Sequence, residues 1–266
     1  MIYKDQLNRK LQIEETPKRI VSLVPSQTEL LVDLGLETSI VGVTKFCIHP
    51  KELRQRKTIV GGTKRIKVDK IKALKPDIIL CNKEENSKAI IESLSGIAPI
   101  HISDMYNLKD AFQLISSYGE IFQVQQQASL LIIKIQQERA QFRHYLKEKP
   151  KRKVVYFIWK NPWMVAASNT FIDFMLNEAG FINVFNIETR YPEISLDHSK
   201  LKDADVIMLS SEPFPFEEKH IEELASLYPE KEVILVDGEL FSWYGSRLEK
   251  SYKYFVILQN NLTCNL

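Results

Sequence analysis

The chain has three cysteines, Cys47, Cys81 and Cys264. An odd number with no CxxC pair argues against a disulfide framework and against a thiolate zinc or redox site. No stretch approaches the roughly eighteen apolar residues a bilayer-spanning helix requires, and the longest runs, such as Val154–Trp159, have the length of buried strands. An excess of one charge is missing too: 36 Lys+Arg against 34 Asp+Glu leave +2, so the footprint of a duplex-binding protein is absent and nucleic acid is not the expected partner. Catalytic signatures are lacking: there is no G-x-G-x-x-G, G-x-x-x-x-G-K-[ST], H-E-x-x-H or G-x-S-x-G. Gly61-Gly62-Thr63-Lys64 lacks the spacing of a phosphate loop and reads as a turn. The histidines at 49, 101, 144, 198 and 220 show no i,i+3 or i,i+4 pairing, so neither a resident metal site nor a catalytic set is expected, and the protein is not read as an enzyme.

What is present is an ordinary globular composition, 44% hydrophobic and 26% charged over 266 residues, long enough for one large domain or two lobes. Short apolar runs alternate with segments of helical period, which predicts an α/β fold with parallel-rich sheets. The strand candidates are Arg19–Val24, Ile40–Thr44, Asp77–Leu80, Ile97–Ile102, Val154–Trp159, Val206–Ser210 and Val233–Asp237. Several are apolar without alternation, as suits strands covered on both faces. Ser26 and Glu29 have capping-box spacing and predict a helix from Gln27 to Leu34 that stops at Gly35. From Gln123 to Lys149 there is no Gly or Pro, and Ala128, Leu131, Ile132, Ile135, Phe142 and Leu146 form a helical stripe. Such a segment is a rigid strut rather than a flexible linker. The expected organisation is an N-terminal lobe over 1–122, a connecting helix over 123–149 and a C-terminal lobe over 150–266.

The halves echo each other. Asp69 stands eight residues before Asp77, which opens an apolar strand, and Asp197 stands eight residues before Asp205, which does the same. Lys18-Arg19 and Arg152-Lys153 each precede the first strand of a half. All three tryptophans fall in loops expected to follow strands: Trp159-Lys160-Asn161-Pro162-Trp163 and Phe241-Ser242-Trp243-Tyr244, with Phe214-Pro215-Phe216 in a third such loop. In parallel α/β sheets ligands sit beyond the carboxyl ends of strands, so aromatic loops gathered there predict a flat, largely apolar ligand face.

Arg19-Ile-Val-Ser-Leu-Val-Pro-Ser-Gln-Thr-Glu-Leu, Val41-Gly-Val-Thr and Ile71-Lys-Ala-Leu-Lys-Pro-Asp-Ile-Ile-Leu resemble segments of the substrate-binding proteins of cobalamin and ferric-siderophore ABC importers, the cobalamin branch above all. The resemblance continues through Trp159-x-x-Pro-Trp163-Met, Thr170-Phe-Ile, Arg190-Tyr-Pro-Glu-Ile-Ser and Ser211-Glu-Pro-Phe-Pro-Phe to Trp243-Tyr-Gly-Ser-Arg247, covering about residues 18–262. It implies two Rossmann-like lobes bridged by one long helix, a ligand cleft between them, and a monomer that binds a small-molecule metal chelate, a corrinoid or a ferric chelate, without a cofactor of its own. It further implies ligand-binding roles for Phe46, Trp159, Trp163, Trp243 and Tyr244, with Asn161 and Arg247 as polar groups suited to a corrin; His49, two residues after Cys47 in a loop, is a candidate ligand contact on its position alone. Asp69 and Asp197 would be the acidic residues that dock on arginines of the ABC-importer permease, although helix N-terminal placement explains two aspartates equally well. Lys64-Arg65-x-Lys67 leaves an anionic siderophore open as ligand. The resemblance implies an extracytoplasmic location, whereas the charged start MIYKDQLNRKLQIEE lacks the apolar stretch of an export signal. A cytosolic tetrapyrrole-handling protein or enzyme, or a sensor domain that keeps the fold without the ligand, therefore stays open as an alternative.

Overall fold

A computed structural model describes residues 1–263 of the chain. The chain forms two compact units: Met1–Gln136 with Tyr244–Arg247, and Gln137–Trp243 with the chain from Leu248 onward. The C-terminal lobe expected to run unbroken from residue 150 is thus interrupted by four residues that fold with the first unit.

The first unit opens with an antiparallel hairpin of β1 (Ile2–Lys4) and β2 (Lys10–Gln12). Its main sheet contains β3 (Ile20–Ser22), β4 (Ile40–Val43), β5 (Thr58–Ile59), β6 (Ile78–Asn82) and β7 (Ile100–Ser103) in the order β5-β4-β3-β6-β7. All neighbours in it are parallel. Every residue of β3 and β6 is buried, the outcome expected of apolar strands covered on both faces. The connecting helices are α1 (Pro25–Asp33), α2 (Leu53–Arg56), α3 (Val68–Ala73), α4 (Lys88–Ser93) and α5 (Leu108–Ile121). Ile71, Ile90 and Leu94 press from α3, α4 and the α4 C-cap onto Val21, Ile79 and Ile102 of the sheet.

The predicted capping box at Ser26 and Glu29 does not form. Helix α1 begins at Pro25, with Val24 as its N-cap and no side-chain cap, and Ser26 to Glu29 are all buried. Proline at the first helical position carries a preset φ and lacks an N–H that would need a partner. Glu29 is drawn instead to a buried arginine described below. The predicted stop holds: Gly35 takes a φ of 83° just past the helix end, a conformation that costs glycine little.

Helix α6 runs from Gln125 to Leu146, about 33 Å at 1.5 Å per residue. It is shorter at both ends than the predicted segment. Gln123, at a φ of 56°, separates it from α5, and Ala128, Ile135 and Phe142 of the predicted stripe are buried.

The second unit holds β8 (Lys153–Trp159), β9 (Met164–Val165), β10 (Ile182–Asn183), β11 (Val206–Ser210) and β12 (Glu232–Val236). The order is β10-β8-β11-β12, parallel throughout, with β9 antiparallel on β8. Helices α7 (Phe171–Glu178), α8 (Glu218–Leu227), α9 (Glu239–Ser242) and α10 (Leu248–Thr263) complete it.

The echo seen in sequence has a common structural basis. In the first unit Asp77 Oδ2 accepts hydrogen bonds from the backbone N–H groups of Lys18 and Arg19, at 2.8 and 2.9 Å. In the second, Asp205 Oδ2 accepts from the N–H of Lys153 at 2.7 Å. Each clamp leads into the same register, Ile20 beside Ile78 and Val154 beside Val206. The aspartate that ends one crossover thereby locks the start of the neighbouring central strand in both units.

Candidate ligand-binding site

In an open parallel sheet, the crevice for a ligand lies at the carboxyl ends of the two adjacent strands whose connections leave in opposite directions. In the second unit these strands are β8, which leads to β10, and β11, which leads to β12. Trp159 ends β8, and Phe214 lies in the loop after β11. Their rings meet edge to face at 5.6 Å. Trp159 is 39% exposed, large for an indole with a neighbour to pack on.

A rigid aromatic base supports this pair. Phe214 and Phe216 lie 4.7 Å apart, and the His220 ring stands edge-on to both at 5.5 and 5.3 Å. His220 is buried, and its Nδ1 accepts the backbone N–H of Glu217 at 2.9 Å, which fixes the start of α8. Trp163 stacks on Phe216 at 5.9 Å and contacts Phe157 of β8. The Lys160 ammonium lies 5.0 Å above the Trp163 ring and pairs with Glu223. Trp163 is therefore half-buried support, whereas Asn161 is exposed at the loop tip with a φ of 63°, a left-handed conformation asparagine tolerates well.

Trp243, predicted as a ligand wall, is 7% exposed. Its indole Nε1 donates to Glu212 Oε1 at 2.8 Å, and Ser242 Oγ donates to the same oxygen at 2.6 Å. Glu212 lies two residues before Phe214, so Trp243 fixes the loop that brings Phe214 against Trp159. Gly238 makes the approach possible: a Cβ there would come within 2.3 Å of Ser210 Oγ.

The first unit fills its own crevice. Here the diverging strands are β3 and β6. Gln27 of α1 donates from Nε2 to Ser103 Oγ at 2.7 Å and to Tyr244 Oη at 3.1 Å, and its Oε1 accepts from Tyr118 Oη at 2.6 Å. Burial raises the Tyr244 phenol well above its ordinary range. Arg247 forms a two-pronged ion pair with Glu29, Nε to Oε2 at 2.7 Å and Nη2 to Oε1 at 2.9 Å, with both side chains buried. Tyr244 and Arg247, expected to face a ligand, are thus interior anchors of the segment that returns to this unit.

Phe46 does face outward, 47% exposed in the loop after β4. The Lys45 ammonium lies 4.8 Å from its ring centroid. Lys45 N–H donates to Gly61 O at 2.8 Å, tying this loop to the one after β5. That loop is tied in turn to the one after β6, since Asn86 Nδ2 donates to Thr63 O at 3.0 Å and Lys64 Nζ to Glu84 O. Burial raises the Glu85 carboxyl against the opposing pull of Lys64. Cys47 is buried between Thr28 and Thr44, and burial raises its thiol, which makes it a poor nucleophile at neutral pH. Cys81 is buried as well, and Cys264 lies outside the described residues. His49 is half-buried before α2. Among the described residues no group of three or more His, Cys, Asp or Glu is placed to hold a metal ion.

Asp69 is exposed in the first turn of α3. Asp197 is exposed, and Ser195 Oγ donates to its carboxylate, which lowers its pKa. Neither is an N-cap: those positions belong to Lys67 and His198.

A family model for periplasmic binding proteins matches residues 20–229. The chain belongs to the periplasmic binding protein family. This binding protein is 32% identical over 132 residues to an uncharacterized ABC transporter substrate-binding lipoprotein of Bacillus subtilis, a match covering 48% of the chain and 41% of that relative. It is 25% identical to a vitamin B12-binding protein of Yersinia pestis over 74% of the chain and 70% of the relative. The chain thus spans less than half of the first relative's length. A molybdate periplasmic binding protein of Haemophilus influenzae shares the fold with a TM-score of 0.80 at 18% identity, covering 100% of this chain and 92% of that one. These relatives are binding proteins rather than enzymes, and a fold shared by binders of vitamin B12 and of molybdate does not select the ligand.

Proposed function

We propose that this binding protein captures a corrinoid-type metal chelate outside the cytoplasm, as a monomer, and delivers it to the permease of an ABC importer. The observation that carries the ligand class is the exposed Trp159 indole, backed edge to face by the half-buried Phe214, at the strand divergence of the second sheet. A corrin is a broad amphipathic ring, and an exposed indole held by a half-buried phenyl ring offers it contact area at little entropic cost. The vitamin B12-binding relative supports the same reading. In the second unit Trp159, Phe214 and the exposed loop tip Asn161 are the residues offered to the ligand; in the first, Phe46 and the neighbouring His49 stand in the loop after β4 as separate candidates. Trp163 and Trp243 act beneath the second unit's set, holding the loops in place. Asp69 and Asp197 offer exposed carboxylates to cationic groups of the permease, steering docking more than strengthening it.

A specific observation favours a second ligand class. Lys45 stands over Phe46 in the loop after β4, and Lys83, paired with Asp104 at 2.6 Å, opens the loop after β6. Ammonium groups at the same sheet edge suit the anionic arms of a ferric siderophore. Parallel calorimetric titrations with cyanocobalamin, hemin and a ferric siderophore separate the classes. Saturable binding of cyanocobalamin alone supports the first, binding of the siderophore alone supports the second, and no heat with any of the three defeats both.

A further inference from the structure

The near-zero net charge conceals a strongly polar distribution. Residues 51–75 contain ten Lys and Arg but two acids, Glu52 and Asp69, a net of +8 in a chain of +2, so the other 241 residues sum to −6. This segment comprises α2, the two-residue edge strand β5 and α3, and it wraps one edge of the first unit's sheet. Four of its cations have local partners: Arg56 pairs with Glu37 at 2.9 Å, Lys57 and Arg54 donate to the backbone oxygens of Glu37 and Lys45, and Lys64 donates to that of Glu84. Lys51, Arg65, Lys67, Lys70, Lys72 and Lys75 are exposed and make no ion pair among the described residues. Along α3 the division is sharp, since Ile71 is buried against the sheet while Lys70 and Lys72 on either side of it are exposed.

Six unpaired cations so close together repel one another in the free protein, a cost that an opposing anionic surface removes. A short edge strand needs only a few lysines to discourage pairing with another chain, and this array exceeds that need. Its composition also distinguishes kinds of partner. Protein–protein interfaces are depleted in lysine and rest on aromatic and arginine anchors in pockets, whereas this surface is mostly lysine. Dense exposed lysine matches instead the diffuse negative potential of a bilayer carrying anionic lipids, where each cation contributes independently.

We infer that the α2–α3 edge of the first unit is a membrane-apposition surface that holds the protein against anionic phospholipid headgroups. The surface surrounds Asp69, so a carboxylate offered to a permease would lie within a face turned toward the bilayer. The inference does not depend on the ligand class.

The test is co-sedimentation of the full chain with vesicles of phosphatidylglycerol and phosphatidylcholine, against vesicles of phosphatidylcholine alone. Partition onto the anionic vesicles only, abolished at high salt, is expected. Combined Lys67→Gln, Lys70→Gln, Lys72→Gln and Lys75→Gln should lower the partition coefficient roughly 100-fold or more. Removing four charges elsewhere, by Lys134→Gln, Lys147→Gln, Lys202→Gln and Lys219→Gln, should lower it far less. No partition at low salt, equal loss in both variants, or binding to permease-containing but not protein-free anionic vesicles would overturn the inference. Unaltered cyanocobalamin binding by the first of these four-lysine variants separates this outcome from failure of the transport reading.

Discussion

Replacing Arg247 with alanine separates an interior anchor from a ligand contact. The Arg247–Glu29 pair is two-pronged, at 2.7 and 2.9 Å, and its side chains are 7% and 5% exposed. Removing one member of such a pair leaves an uncompensated buried charge, a loss of about 3–5 kcal/mol. The loss should fall on the first unit, because Glu29 belongs to α1 and Tyr244–Arg247 folds with that unit. A drop in melting temperature on the order of 10 °C follows for a unit of this size. Urea unfolding followed by circular dichroism measures it, with the two units fitted separately because a single transition is not guaranteed. Glu29→Gln combined with Arg247→Met should recover much of the loss, since no lone charge then remains buried. If Arg247→Ala keeps full stability and loses only chelate binding, the guanidinium faces the ligand and its assignment to the interior is refuted.

Three further predictions rest on other features. His101 is fully buried on β7, edge-on to Tyr118 at 5.4 Å, with neither ring nitrogen hydrogen-bonded, and burial lowers its pKa to about 4 from 6.5. The unfolded chain therefore binds the proton first, so stability is full above pH 6.5 and falls by roughly 3 kcal/mol as the pH drops to about 4; His101→Leu should flatten that part of the stability–pH profile, and an unchanged profile would contradict the burial argument. Asp77→Asn and Asp205→Asn should each cost about 1–3 kcal/mol by weakening equivalent strand clamps, and a loss in one unit without a similar loss in the other would deny the equivalence. Trp243→Ala should lower stability by about 3–5 kcal/mol by emptying a buried site, whereas an unfolding midpoint equal to wild type would return Trp243 to the ligand face.

Much of the fold was legible because its strands are parallel and covered on both faces. Uninterrupted runs such as Val206–Ser210 then stand out, and that strand is observed with the predicted bounds. Long-range pairings were not legible. Ser26 and Glu29 have the spacing of a local cap, but Glu29 is claimed by an arginine 218 residues away. The aromatic segments were expected in loops after strands, but Trp159 is the last residue of β8 and Trp243 the C-cap of α9; Trp243 and Tyr244 read locally like Trp159 and differ in where the chain goes next. Tyr244 turns into the first unit to meet Gln27 and Ser103. Phe214 was visible in its loop but gained importance only when topology placed that loop beside the end of β8. The +2 net charge excluded a basic protein as a whole and masked a local excess of +8.

The exposed Trp159 indole, backed by Phe214 on the second sheet, is the surface proposed to meet a corrinoid. Calorimetric titration of wild type and Trp159→Ala with cyanocobalamin, each first shown to melt at the same temperature, tests it most directly. One saturable site is expected in the wild type, and an affinity lower by about 1–3 kcal/mol, roughly 5- to 150-fold, in the variant. Equal affinities, or a wild type that takes up no cyanocobalamin, would contradict it.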